Sequence, residues 1–335
     1  MPQTKIECLE NPLWQREMAS AVTDPAELLS LLELPRDLLA GAIAASAAFR
    51  LRVPRAFIAR MARGDPDDPL LRQVLPLAQE CQRATGFSDD PVGDRNAVVS
   101  PGLLHKYHGR VLIVATAACG IHCRYCFRRH FPYNDNNPLG DDWRKALDYI
   151  AADSSIREVI LSGGDPLSLS DSRLAMMVED LQMLPHCRRI RLHTRQPIVI
   201  PSRITHGLIQ ILTQGALQTV MVVHINHANE LNDSVYHAME QLRQAGIPLF
   251  NQAVLLKGVN DSADSLITLS EALSTAGITP YYLHQLDKVA GAAHFSVSQE
   301  RALAIYSEMR QRLPGYLLPR LVTEQAGAAS KLTLT

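Results

Sequence analysis

Arg110–Cys126 reads RVLIVATAACGIHCRYC, a β-branched apolar run that empties into Cys119, Cys123 and Cys126. The spacing is C-x3-C-x2-C, with an aromatic residue, Tyr125, just before the last cysteine. Three thiolates this close together can hold three irons of a cubane cluster and leave the fourth iron open to a small molecule. Such a site is built for chemistry as well as for electron storage. Two other readings stay open on the residues alone. One is a zinc site made from the three cysteines with His122 or His130; the other is three unconnected buried thiols. Zinc sites usually pair two knuckles some distance apart, whereas here everything sits in one run.

Working outward from this stretch, apolar runs of strand length alternate with segments of helical period. The expected strands are Arg110–Thr116, Glu158–Ser162, Arg189–Thr194, Thr219–Ile225, Pro248–Leu255 and Thr279–Leu286. The helices expected between them include Asp171–Leu184, Ser202–Thr213, Asp233–Ala245 and Ser262–Ala276. Asp171 and Asp261–Ser262 are expected caps, and Gly246 and Gly277 expected stops. Six β/α units in a row with short loops imply parallel strands in a barrel or open barrel, an α/β fold. Eight complete units are not visible. The chemically interesting residues fall after strands: the cysteines after the first, Gly163-Gly164-Asp165 after the second, His224 and Asn226 at the fourth, Asp287 after the sixth. Chemistry in such folds gathers at the C-terminal ends of the strands.

The first hundred residues read differently. Pro12–Val22, Pro35–Ala48 and Pro54–Arg63 each open on a proline, and Asp24-Pro25 is a capped helix start. The expected organisation is a helical region over 1–100, a barrel core over 101–315 and a C-terminal segment over 316–335.

Composition narrows the partners. Of 335 residues, 33 are Lys or Arg and 34 are Asp or Glu, a net charge of -1, so there is no basic excess to hold a nucleic acid. No apolar run approaches the ~18 residues of a membrane span, and the N-terminus MPQTKIECLE carries no apolar signal core. The cysteines do not form a disulfide-like framework, and an exposed iron–sulfur cluster suits a reducing cytoplasm. A cytoplasmic protein without a membrane or nucleic-acid partner is expected.

The motif C-x3-C-x-aromatic-C resembles the radical S-adenosylmethionine (SAM) signature. The stretches HKYHGRVLIVATAACGIHCRYCFRRHF, LSGGDPL, HINHANE, NQAVLLKGVND and YYLHQLDKVAGAAHF, with DPDDPLLRQVLP upstream and Lys331 near the end, resemble the lysine 2,3-aminomutase family over most of the chain. The short length resembles the branch that supplies β-lysine for modifying translation elongation factor P. The resemblance implies a partial (β/α)6 TIM-like radical SAM barrel with an N-terminal helical layer. It implies three cofactors: a [4Fe–4S] cluster on Cys119, Cys123 and Cys126, SAM, and pyridoxal 5′-phosphate (PLP). Gly163, Gly164 and Asp165 match the family's glycine motif for the methionine end of SAM, and His224 and Gln252 match SAM-side residues. Tyr125 is expected either to touch the adenine or to pack in the core. Lys331 aligns with the lysine that forms the Schiff base with PLP, a role that needs a primary amine. Lys106, Tyr107 and Arg110 align with contacts to the PLP phosphate. Arg128 aligns with the residue that pairs with the substrate carboxylate; Asp287 and Glu324 align with two acids that hold the substrate ε-ammonium. Two acids favour a basic substrate and repel an acidic one. Arg129 is given no role.

The implied reaction is an isomerisation of L-lysine to (R)-β-lysine through a 5′-deoxyadenosyl radical. The implied partners are lysine, an electron donor such as flavodoxin or ferredoxin, and, through the pathway, elongation factor P and its lysine ligase. The alternatives are a radical SAM enzyme acting on another basic amino acid such as arginine, or a non-enzymatic metal-binding module.

Overall fold

The computed structural model describes residues 12–136, 138 and 140–335. The N-terminal layer consists of helices α1 (Leu13–Ala19), α2 (Pro25–Leu31), α3 (Leu38–Ala48), α4 (Arg55–Ile58) and α5 (Pro69–Arg72). Asp24 caps α2 by accepting from the Ala26 N–H, as its position before Pro25 leads one to expect. Three expected helices are shorter than the sequence pattern: α3 begins at Leu38 and not at Pro35, and α1 and α4 end early. α1 stops because Val22 pairs as an isolated bridge with Val53. α4 stops because the Ala62 N–H goes to the Asp68 carboxylate and the Gly64 N–H to the Leu32 carbonyl, which removes the donors of a continuing helix.

Among the described residues one sheet of 10 strands runs in sequence order. An antiparallel pair, β1 (Val98–Ser100) and β2 (Leu103–Tyr107), leads into β3 (Arg110–Thr116). From there the pairing is parallel: β3, α6 (Asp141–Ala152), β4 (Glu158–Gly163), α7 (Asp171–Gln182), β5 (Arg189–Thr194), the short α8 (Gln196–Val199) and α9 (His206–Thr213). The series continues through β6 (Gln218–Val223), α10 (Asp233–Gln244), β7 (Leu249–Leu255), α11 (Ala263–Thr275), β8 (Thr279–Gln285) and α12 (Gln299–Arg312). β9 (Arg320–Thr323) adds a further parallel strand beside β8, and β10 (Leu332–Thr333) returns antiparallel to β9. The architecture is therefore the α/β open barrel of six β/α units, a partial TIM-like barrel, with β9 as an extra strand that no apolar run announced. The cap of α7 is Ser170, whose hydroxyl accepts from the Arg173 N–H; Asp171 is the first helical residue.

Strand side chains alternate between two faces with period two. One set packs under the helices: Val111, Ile113, Val159, Leu161, Ile190, Leu192, Met221 and Val223 belong to one buried cluster with Leu174, Met177 and Leu242. The other set lines the lumen and is polar at many levels: Arg110, Glu158, Ser162, Arg189, Arg191, His193, Gln252, His284, Arg320 and Glu324. A polar lumen in an otherwise apolar barrel is a place for ligands rather than a packed core.

The helical layer closes over the loops at the C-terminal ends of the strands. Its apolar cluster takes in Ile121 from the cysteine loop and Val199 and Ile200 from the region of α8. A buried ion pair pins the same loop: Glu80 accepts from Arg124 Nε at 2.8 Å and Nη2 at 2.6 Å, with side chains 2% and 0% exposed. Arg129 adds a third bond to Glu80 at 2.9 Å. Removing one partner of a buried pair leaves an uncompensated charge. Glu80→Ala is expected to destabilise the protein by about 3–5 kcal/mol. Denaturant unfolding measures this, and a loss below about 1 kcal/mol would show that the pair does not hold the loop.

Candidate active site

One cavity of about 1070 Å³ occupies the lumen and the space beneath the helical layer. Cys119, Cys123 and Cys126 all line it, on the loop that follows β3. Burial pushes the Cys126 thiol up to about 11, with Cys123 adding to the effect. Its thiolate form calls for a positive partner of the kind that iron supplies. Neither histidine near the run turns to the sulfurs. His122 Nδ1 bonds the Arg50 carbonyl and its ring stacks on Phe49, while His130 Nε2 faces the Ala290 carbonyl. Among the described residues no three His, Cys, Asp or Glu side chains converge on a point as a mononuclear site requires. With both histidines engaged elsewhere, a zinc set of three thiols and a histidine is disfavoured, and the three thiols suit a cluster in which each takes a different iron.

Gly163 and Gly164 line the cavity beside the cysteine loop, and the reason for glycine is steric. Gly163 has φ +112°, and a Cβ there would lie 2.8 Å from the Thr116 carbonyl; on Gly164 it would lie 2.4 Å from the Ala118 carbonyl. The Gly164 N–H donates to Thr116 and the Asp165 N–H to Ala118, so the two loops are zipped backbone to backbone. Asp165 itself does not line the cavity. Its buried carboxylate accepts from Leu167 N, Thr194 Oγ1, Arg195 N and Gln196 N at 2.6–3.0 Å. This expected SAM contact thus spends its acceptors tying the loop after β4 to the loop after β5. Tyr125 both lines the cavity and packs edge-on against Phe295, and its hydroxyl accepts from Arg195 Nη1 and Asn226 Nδ2, each at 2.6 Å.

His224 and Gln252 line the same cavity, and so do His193 and His284, which the sequence reading passed over. Nε2 of His193 and of His224 is buried and has no hydrogen-bond partner among the described residues. Burial, with Arg195 adding to it, lowers His224 to about 4; burial, with Arg191 and His224, lowers His193 as well. Neutral imidazoles with an open nitrogen suit a bound ligand with polar edges. The period-two alternation of RIRLHT was the signal for His193, since it puts Arg189, Arg191 and His193 on one face.

Toward the other end, a hairpin sets the geometry. Thr323 pairs with Leu332, which makes Glu324 and Lys331 cross-strand neighbours, and Lys331 Nζ bonds Glu324 Oε2. Lys106 donates to the Val92 carbonyl at 2.8 Å, to Glu324 at 3.0 Å and to Asp94 at 2.6 Å. Its three donors are thereby used by protein, and Tyr107, over which the Arg110 guanidinium stacks at 4.7 Å, hydrogen-bonds Glu324 as well, which leaves the Arg110 guanidinium facing the cavity. The strand register sets Arg110, Glu158, Arg189 and Gln218 side by side near them.

Arg128 is 7% exposed and donates from Nε to Asp94 at 2.6 Å and from Nη1 to Ser162 at 3.1 Å, keeping further donors for the cavity. Asp94 is a further residue that the sequence reading missed: one buried carboxylate orients both Arg128 and Lys106. Burial would raise it, yet Arg128 and Lys106 hold it below the ordinary carboxylate range. Asp287 and Glu324 both line the cavity but are set apart in charge. Burial and the nearby Glu324 push Asp287 up to about 7. Glu324, despite burial, is held at about 2 by Lys331 and Lys106. Arg129 bonds the Arg124 and Gly291 carbonyls as well as Glu80, a structural role.

Residues 113–269 match the radical SAM superfamily. The chain is 50% identical to the L-lysine 2,3-aminomutase of Escherichia coli over 96% of this chain and 94% of that one. It is 48% identical to the L-lysine 2,3-aminomutase of Haemophilus influenzae over 99% and 98%. It belongs to the L-lysine 2,3-aminomutase family. The likeness extends at 32% identity to the enzyme of that name from Clostridium subterminale, over 95% of this chain and 76% of the other. Membership of the radical SAM superfamily implies a [4Fe–4S] cluster and SAM, which the three cysteines and the glycine-lined cavity accommodate. No helix among the described residues is long and apolar enough to cross a membrane.

The close loop contact makes a test. Gly164→Ala forces a Cβ onto backbone that cannot swing away, at a cost of about 1–3 kcal/mol. It is expected to lower the iron and sulfide bound per chain several-fold after anaerobic reconstitution. Gly315→Ala, where a Cβ would meet nothing within 4 Å, is expected to bind as the parent does. Equal iron content in the two variants would refute the role of the zipped loops.

Proposed function

We propose that this chain is an isomerase that converts L-lysine to (R)-β-lysine by moving the amino group from carbon 2 to carbon 3. The observation that carries the reading is the single cavity lined by the three cysteines, by Lys331, and by Arg128, Asp287 and Glu324. Family membership supports the same reaction.

In this reading Cys119, Cys123 and Cys126 hold the cluster, and Tyr125, Gly163, Gly164, His224 and Gln252 surround SAM, with Asp165 positioning that loop. When bound, the cluster and SAM supply a 5′-deoxyadenosyl radical strong enough to take hydrogen from an unactivated carbon. Lys331 carries PLP, with Tyr107 and Arg110 at its phosphate and Lys106 ordering the acidic side of the pocket. PLP supplies a conjugated ring that delocalises an unpaired electron. The protein's own part is positioning. Arg128 presents a guanidinium fork to the substrate carboxylate, and Asp287 and Glu324 face the ε-ammonium. The two ends fix the length of the substrate and set its β-carbon at one place. His193, His224 and His284, kept uncharged by burial, add no repulsion toward a cationic amino acid.

The reading extends to organisation and context. Of the expected first region, 1–100, residues 1–11 lie outside the described residues, 12–97 form the cover and Val98–Ser100 opens the sheet; 101–315 is the catalytic core and 316–335 the carrier of the PLP lysine. A low-potential flavodoxin or ferredoxin in the cytoplasm supplies the electron, and β-lysine serves the ligase that modifies elongation factor P. The mass of elongation factor P from cells with and without this gene checks the last step; an unchanged mass would remove it.

The reaction itself is tested with protein purified and loaded without oxygen. It is expected to turn L-lysine into β-lysine when given SAM, PLP and a reductant, as read by mass spectrometry after chiral separation. Lys331→Ala is expected to abolish turnover and to lose PLP on gel filtration while keeping its iron. Full turnover by Lys331→Ala would overturn the assignment of PLP to this residue.

Acidity gives a further prediction. Only ionised Asp287 attracts the ammonium, and its raised value of about 7 means that the ionised form grows in as pH rises through neutrality. Lysine binding should therefore weaken by about tenfold per pH unit below 7 and level off above it. Asp287→Asn should bind more weakly and flatten the profile between pH 6 and 8. A profile that keeps its slope in the variant would assign the titration elsewhere.

A further inference from the structure

Arg195 follows β5 directly, and its side chain reaches the cysteine loop. Its Nη1 lies 2.8 Å from Cys123 Sγ and 2.6 Å from Tyr125 Oη. Its Nη2 donates to Gln73 Oε1 at 2.6 Å and to Glu230 Oε2 at 2.9 Å. The guanidinium side chain is 6% exposed and the Glu230 carboxylate 0%. The backbone is fixed as well, since the Arg195 N–H donates to Asp165 at 2.7 Å.

Every partner is itself held. Gln73 Nε2 bonds the Pro69 carbonyl and Glu230, and its Oε1 also accepts from Asn226. Glu230 further accepts from the Asn226 and His227 N–H groups. Arg60 donates to the Glu230 and Ile198 carbonyls from the helical layer. A buried cation is thus aimed rigidly at one sulfur of three. Structural needs alone would be met by pairing it with Glu230. The placement of Nη1 on Cys123 goes beyond them.

We propose that Arg195 is a positioning residue that sets the reduction potential of the cluster through Cys123, with Glu230 as the counterweight. This rests on the reading of Cys119, Cys123 and Cys126 as cluster ligands. The potential of a thiolate-held cluster depends on net charge, on hydrogen bonds to its sulfurs and on solvent exposure. Reduction takes one electron from an external low-potential one-electron donor, breaks no bond and adds one negative charge to the cluster. A fixed N–H donor bearing positive charge at a ligand sulfur favours that product, and burial keeps the interaction unscreened. Glu230 touches the far nitrogen of the same fork, so it opposes the effect from a greater distance. Opposite signs for the two residues are a signature that simple loss of structure does not produce.

The test is a potentiometric titration of the reconstituted protein, followed by the electron paramagnetic resonance of the reduced cluster, with iron and sulfide counted in each sample. In Arg195→Met the ratio of reduced to oxidised cluster at one fixed potential is expected to fall by at least tenfold, about 59 mV for a one-electron couple. Arg195→Lys keeps a charge but loses the fork, so a smaller fall is expected; it carries the measurement should the methionine variant fail to assemble. Glu230→Gln is expected to raise the ratio. Fully loaded Arg195 variants with the parent potential, or a fall in Glu230→Gln, would overturn the inference. A parent protein with no four-iron cluster would overturn the ligand reading beneath it, and the iron count tells that failure from the other.

Discussion

Three thiols on a loop without regular structure must be held still by something other than their own backbone. Buried charge supplies that constraint. Glu80 comes from the helical layer and meets Arg124 and Arg129, which flank Tyr125 and Cys126. Gln73 and Glu230 meet Arg195, which reaches Cys123. Asp165 collects the donors behind the glycine loop. These carboxylates and guanidiniums have lost their water, so any one left alone would be costly, and each therefore fixes its partner closely. The helical layer is thus a structural part of the cysteine site, since it contributes both Gln73 and Glu80.

The lumen is organised by the same rule applied more loosely. Asp94 balances Arg128 and Lys106, and Glu324 balances Lys106 and Lys331. Among the described residues Asp287 has no such cation at contact, and burial with Glu324 nearby raises it to about 7. Two acids of one pocket therefore differ in charge because their surroundings differ, and a basic side chain that enters supplies what Asp287 lacks. The histidines contribute shape and open nitrogen atoms without charge.

Much of the scaffold could be read directly. The expected limits of Arg110–Thr116 and Arg189–Thr194 coincide with β3 and β5, since an apolar β-branched run in the first and a strict period-two alternation in the second both read as strand. The site residues on strand ends followed from the rule that such ends face the chemistry. Other parts left no local mark. β9 and β10 are too short and too polar to stand out and exist because a neighbouring edge offers them partners. α4 is cut short by Asp68, six residues beyond the amide it captures. Asp94, His284 and Arg195 carry no motif, because their roles arise from neighbours far away in the chain.

What the sequence determined alone was the order of strands and helices, the trio of thiols and the chemistry of the family, because these depend on period, spacing and residue type. What only the tertiary structure decided was which charge meets which. It gave Lys106 to Asp94 and Glu324, turned Asp165 inward to a loop, and set Arg195 on Cys123. Such pairings are chosen by burial, where a charge must take the partner that folding brings within reach, and no stretch of the chain carries that information by itself.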